Sequence, residues 1–245
     1  MPKFFVPECD LSGETVTLSG PNAEHLKVLR VRPGEELTLC DTRGLEALCA
    51  LELPGNPARL RILKTMPARG EPSISAVIYA ALPKGDKTET IVQKAVELGA
   101  ERVCFFLTER CVSRPDARSL RSRTERLNKI AEAAAMQSYR GRVPRVDWLP
   151  DLPAVLREGR EADLRAFLWE GEREKSLRAL LREAGTFRSA ALISGPEGGF
   201  SGEEAALAAA AGFASVTLGQ RILRCETAPL AALTAVMYES GNMDG

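Results

Sequence analysis

Two textures divide the chain. Over residues 1–66 the apolar positions fall into short, part-alternating runs, VTLSG, ELTLCD, EALCALEL and ARLRILKT. Turn signals such as Pro33-Gly34 and Thr42-Arg43-Gly44 separate them. Alternation of Val, Leu and Thr with polar residues reads as β-strand, and the segment is expected to fold as a small β-barrel over residues 1–70. PARGEP (67–72) reads as a linker.

From residue 73 strands alternate with helices. ISAVIYAAL (74–82) is a near-continuous apolar run, as for a strand buried on both faces. A helix is expected at 86–98, capped by Asp86 with Glu89 three residues on and stopped by Gly99. RVCFFL (102–107) reads as the next strand, and an arginine-rich helix follows at 119–138 with Leu120, Leu127, Ile130 and Ala134 inward. LRAFLWE (164–170), a helix near 174–184 and RSAALIS (188–194) continue the alternation. Ser201 and Glu204 form a capping-box pattern for a helix at 202–211. SVTLG (215–219) is a last strand, and a helix over 227–239 tolerates Pro229 in its first turn. Such alternation predicts an α/β domain over 73–245 with a mostly parallel sheet covered on both faces.

Composition changes the picture in one respect. The formal net charge of the 245 residues is zero, which by itself argues against a polyanionic partner. Yet residues 102–145 hold eleven arginines and lysines against four acids, a net of +7 that leaves −7 for the remainder. The balance therefore does not exclude nucleic acid. Six cysteines without a CxxC pair, and a single histidine, give no support to a structural metal site, so no metal is expected. No signal-peptide pattern and no apolar run of about 20 residues is present, so a cytoplasmic protein with free thiols and no membrane partner is expected.

Two strand ends carry candidate chemistry, because ligands of parallel sheets bind at the carboxyl ends of strands. In ISGPEGGFSGEE (193–204), three glycines within five positions permit close backbone approach to a ligand. An ordinary glycine-rich turn explains them equally well, and the spacing fits neither GxGxxG nor the Walker pattern. In LGQRILRCETA (218–228), Ile222 and Leu223 sit between Arg221 and Arg224, as a core plug or as the wall of a ligand pocket.

Taken together, LISGPEGGFS (192–201) and LGQRILRCETA (218–228) resemble one family, the bacterial 16S ribosomal RNA (uracil-N3)-methyltransferases of the SPOUT superfamily. The resemblance extends to AEHLKVLRVRPGEEL (23–37), LPKGDKTETIVQKAVELGAERVCFFLTERCVSR (82–114) and RLNKIAEAAAMQSYRGRVP (126–144). Two departures stand out: Pro2-Lys3-Phe4-Phe5, where relatives often carry arginine near Lys3, and Met136 where a polar residue is common.

The resemblance implies a PUA-like RNA-binding barrel over 1–70, a trefoil-knot methyltransferase domain over 73–245, and a homodimer. It implies S-adenosyl-L-methionine as cofactor, held by Leu168, by Gly195, Pro196, Glu197, Gly198 and Gly199, and by Leu218, Gly219, Ile222, Leu223 and Arg224. Trp169 beside Leu168 reads as core packing in preference to a cation–π partner of the sulfonium. The implied partner is 16S rRNA or the small ribosomal subunit, contacted by Lys3, Arg30, Lys84, Arg110, Arg114, Arg140 and Arg142, with Lys27 and Arg32 behind them. Arg224 is the candidate for stabilising the developing uracil anion, since it keeps its charge. Glu197 or Glu226 is the candidate proton acceptor, against structural roles in the loop and at the helix start. His25 reads as structural. The competing readings are a non-catalytic RNA-binding protein of the same fold, and a methyltransferase acting on another RNA.

Overall fold

The computed structural model describes residues 1–7 and 9–244. They group into two units, residues 1–71 with 135–143 and residues 72–134 with 144 onward.

In the first unit the alternating runs become β2 (Thr15–Leu18), β3 (Glu36–Cys40), β4 (Leu45–Leu53) and β5 (Ala58–Pro67), joined by β1 (Lys3–Phe5). The sheet order is β1-β3-β4-β5-β2. It is a curled half-barrel with β1 and β2 as edges. β1 pairs parallel with β3, and the other pairs are antiparallel. The pleat puts Val16 and Leu18 inward and Thr15 and Thr17 outward. Phe4, Leu37, Leu39, Leu51 and Leu60 form the buried centre. Between β2 and β3 lies α1 (Gly20–Val28), which the hydrophobic pattern does not announce. Only Ala23 and Leu26 of its nine residues are buried, too few for a visible stripe. His25 packs edge-on against the Phe4 ring at 5.5 Å between centroids.

The second unit alternates as read: β6 (Ser75–Ala81), α2 (Lys87–Glu97), β7 (Arg102–Phe106), α3 (Ala117–Gln137), β8 (Arg145–Trp148), α4 (Leu152–Gly159), β9 (Leu164–Leu168), α5 (Leu177–Ala184), β10 (Ser189–Ser194), α6 (Gly202–Ala210), β11 (Ala214–Val216) and α7 (Thr227–Glu239). The last turn of α3 groups with the first unit. Every pair in the sheet, ordered β11-β9-β10-β6-β7-β8, is parallel. β8 and α4 are the elements the pattern missed. β8 is a four-residue edge strand, and α4 opens on Asp151, whose side chain accepts from Ala154 N at 2.8 Å. The capping box at α6 forms in full, with Ser201 and Glu204 satisfying each other's backbone N–H. Asp86, by contrast, makes no side-chain cap on α2; its backbone oxygen accepts from Glu89 N at 3.0 Å.

Register is what positions the site. Ser194 pairs with Ala80 on one side and Leu168 on the other, and Leu168 pairs with Val216. The ends of β6, β10, β9 and β11 therefore stand in one row, although the sequence separates them widely. Their following loops must meet at that edge of the sheet.

Candidate functional site

The loops after β9, β10 and β11 enclose a cavity of about 650 Å³, within the range of small-molecule sites. It is lined by Leu168, Trp169, Glu170 and Arg173 after β9, and by Ser194 through Gly199 after β10. Val216–Gly219, Arg221–Cys225 and Ala228 close it. All eleven residues expected to hold the cofactor lie here: Leu168, Gly195, Pro196, Glu197, Gly198, Gly199, Leu218, Gly219, Ile222, Leu223 and Arg224. Trp169 packs on the buried cluster beneath the sheet edge, as the core reading expects, and also lines the cavity.

The glycine loop is built to be small. Phe200 anchors it, stacking on Phe167 of β9 at 4.2 Å between ring centroids. Gly199 has φ +64°, and a Cβ there would overlap the Glu170 carboxylate. At Gly198 a Cβ would press on the Arg110 stem at 3.1 Å. Arg110 itself donates to the carbonyls of Gly198 at 3.0 Å and Phe200 at 3.3 Å, so it braces the loop from outside.

Charges around the cavity fall into two groups. The first is a cluster behind the loops. The Lys87 ammonium lies 2.8 Å from Glu197, 3.4 Å from Glu226 and 3.5 Å from the Cys225 sulfur. Lys84 N also donates to the Glu197 carboxylate at 3.1 Å. Burial alone would raise both carboxyls, but the Lys87 charge and the hydrogen bonds they accept carry them below the ordinary carboxylate range. Lys87 is in turn raised, chiefly by its bond to Glu197. Burial, then the bond to Glu226, pushes the Cys225 thiol up to about 12. Carboxylates so paired are poorly suited to capture a proton, which counts against Glu197 and Glu226 as acceptors. The second group faces the cavity. Among the described residues the guanidinium of Arg224 has no ion pair or hydrogen bond, and the Glu170 carboxylate is likewise without a bonded partner.

The basic residues expected to face RNA divide sharply. Lys3 is buried and paired with Glu46, and it also donates to the Tyr139 carbonyl at 3.3 Å. Arg140 is 3% exposed and holds Glu71 through two bonds of 2.8 and 2.9 Å. Both were expected on the surface and are instead interior cations of the first unit. Each is held inside by a carboxylate, Glu46 for Lys3 and Glu71 for Arg140. Arg30, Lys84, Arg110, Arg114 and Arg142 are exposed. Of these, Arg114 donates to the carbonyls of Thr108 and Glu109 at 3.2 and 3.3 Å. Sequence reasoning passed over Lys87, Arg173, Ser194, Thr217, Cys225 and Ala228. Lys87 carried a signal in retrospect, since it opens the helix that follows the strand beside β10. Among the described residues no group of His, Cys, Asp and Glu could hold a metal ion, and no helix is long and apolar enough to cross a membrane.

Two family descriptions match the chain: an RNA methyltransferase domain over residues 70–237 and an RNA methyltransferase PUA domain over 18–63. The chain is similar to the ribosomal RNA small subunit methyltransferase E of Bacillus subtilis, 32% identical over 94% of this chain and 93% of that one. The protein of the same name from Mycobacterium bovis is 33% identical over 95% and 90%. Among solved structures, the Neisseria gonorrhoeae ribosomal RNA small subunit methyltransferase E bound to S-adenosyl methionine superposes with a TM-score of 0.83. That pair is 32% identical over 97% of each chain.

Proposed function

The chain belongs to this SPOUT family of RNA methyltransferases with a PUA domain, and from that membership we propose that it methylates N3 of a uridine in 16S ribosomal RNA. It is an S-adenosyl-L-methionine-dependent rRNA methyltransferase. The observation that carries the finer reading is a cavity at the carboxyl edge of a parallel sheet, walled by the glycine and Leu218–Arg224 loops and lined by Arg173, Arg221 and Arg224, whose guanidinium groups have no ion pair or hydrogen bond among the described residues.

The residues present fit this cofactor. The glycine loop offers backbone groups without side-chain bulk, and Leu218, Ile222 and Leu223 supply an apolar wall for an adenine ring. Bound there, the cofactor supplies a sulfonium methyl to a nucleophile. The uracil imide nitrogen must lose its proton to become that nucleophile, and negative charge spreads over the ring as it does. Arg224 is placed to stabilise that charge without losing its own. Walls fixed by Phe200 and Arg110 hold the reacting groups in line. The paired carboxylates Glu197 and Glu226 serve the loops, and the N3 proton leaves to water or to the RNA.

The exposed Arg30, Lys84, Arg110, Arg114 and Arg142 support contacts to phosphate, which position RNA without reading its sequence. A flipped-out uridine would carry the specificity. A homodimer is inferred from the family resemblance alone. A cytoplasmic site of action follows from the ribosomal substrate. Nucleoside mass spectrometry of ribosomal RNA with and without the protein tests the reading. Loss of 3-methyluridine on deletion is expected, and an unchanged level would refute it.

A further inference from the structure

Lys87 does not line the cavity, yet it touches both of its principal walls. Glu197 belongs to the glycine loop after β10, and Glu226 closes the loop after β11. The Lys87 ammonium sits between them at 2.8 and 3.4 Å, so the two carboxylate oxygens lie at most about 6 Å apart. Without a cation there, two like charges would face each other across a half-buried gap and push the walls apart. Cys225 contributes a third contact at 3.5 Å. Lys87 reaches this point because β6 pairs directly with β10, which brings the start of α2 beside the glycine loop. Lys84 N, in the same β6–α2 connection, adds a further bond to Glu197. On the other wall, the Arg224 carbonyl accepts from Thr227 N at 2.8 Å and Ala228 N at 2.9 Å. Arg224 and Glu226 therefore move as one turn.

We propose that Lys87 is a positioning residue: a cationic clamp that holds the glycine loop and the Leu218–Arg224 loop at the separation the cofactor needs. The inference rests on the methyltransferase reading and adds to it a residue outside the cavity. The clamp acts on binding, so its loss raises the KM for S-adenosylmethionine and leaves the saturated single-turnover rate within a few-fold of wild type. A residue needed only for folding would lower the active fraction and leave KM unchanged.

The test measures binding of S-adenosylhomocysteine by calorimetry, and single turnover on ribosomal RNA, for wild type, Lys87→Met, Lys87→Arg, Glu197→Gln and the Lys87→Met/Glu197→Gln pair. Lys94→Met serves as control, since Lys94 lies on the same helix and pairs with Glu97 at 2.9 Å, away from the cavity. Lys87→Met is expected to weaken binding by about tenfold to a hundredfold, the scale of charge-assisted hydrogen bonds. Lys87→Arg should recover most of that loss, and Lys94→Met should bind normally. The double variant should bind no more weakly than Lys87→Met alone, because both changes break one link. Should Lys87→Met fail to fold, the comparison of Lys87→Arg with Glu197→Gln decides: near-normal binding by the first and weakened binding by the second is expected, and equal binding by both overturns the clamp. Wild-type affinity in Lys87→Met, or losses that multiply in the double variant, would overturn it as well. A wild-type protein that does not bind S-adenosylhomocysteine would instead overturn the methyltransferase reading, and the clamp with it.

Discussion

Removing the Arg140 side chain should destabilise the first unit without changing how the protein holds RNA. Arg140 is 3% exposed, and its guanidinium grips Glu71 through Nε and a terminal nitrogen at 2.8 and 2.9 Å. Glu71 also accepts from Gly141 N at 2.8 Å and Arg142 N at 3.1 Å. Breaking a fully buried pair by deleting one partner costs about 3–5 kcal/mol. Here the Glu71 side chain is 26% exposed and keeps its two backbone donors, so part of its charge stays solvated. An intermediate cost of about 2–3 kcal/mol is therefore expected for Arg140→Ala. With a urea slope of about 2–3 kcal/mol per molar, the midpoint of that unit should fall by roughly 1 M. Tryptophan fluorescence is blind to the change, because Trp148 and Trp169 both lie in the second unit. Hydrogen exchange on β3, β4 and β5 reports it directly. RNA affinity should keep the wild-type salt dependence. An unchanged exchange profile, together with a salt slope shallower by about 0.9, would show that Arg140 meets a phosphate and that the buried-pair argument is wrong.

Arg114→Ala/Arg142→Ala, both exposed, should behave oppositely, reducing the salt slope of RNA binding with little change in urea midpoint. Arg224→Ala should lower the saturated methylation rate by about 10²–10³ while cofactor affinity changes little, as for loss of one charge-stabilising donor; a rate near wild type would remove Arg224 from the chemistry. Glu197→Gln and Glu226→Gln should each keep the saturated single-turnover rate within a few-fold, whereas loss of a true general base costs about 10²–10⁴. Gly199→Ala should cost about 1–2 kcal/mol by urea titration, because φ is +64° there, and should displace Glu170 from the cavity wall. Both Lys87-bound carboxyls titrate below their ordinary value of 4.5 in the folded protein. Their stabilisation is complete above that pH and is lost as pH falls through the lower folded values. Urea midpoints of wild type and Lys87→Met should therefore converge on acidification, and a constant gap would contradict the pairing.

Much of the second unit was legible because buried parallel strands write themselves as apolar runs and capping boxes mark helix starts. ISAVIYAAL and Ser201–Glu204 behaved as their chemistry dictates. β8 and α1 were not legible, since four residues at a sheet edge and nine residues with two buried side chains carry almost no periodic signal. The cavity loops were found through their composition and their likeness to a family. The position of Lys87 at the start of a helix was legible, but its pairing with Glu197 and Glu226 was not, because nothing in the sequence says that β6 pairs with β10. Lys3 and Arg140 misled for a related reason. A cation's neighbours in sequence do not reveal a carboxylate 43 or 69 positions away.

The row formed by Ala80, Ser194, Leu168 and Val216 has a consequence for synthesis. A nascent chain emerging as far as residue 200 possesses β6, β9 and β10 and the glycine loop, but neither β11 nor the Leu218–Arg224 wall nor the partner carboxylate of Glu226. Cofactor affinity is therefore acquired only once residues 201–228 have followed the glycine loop out of the ribosome. A premature stop anywhere before residue 228 should yield a protein that cannot retain its methyl donor.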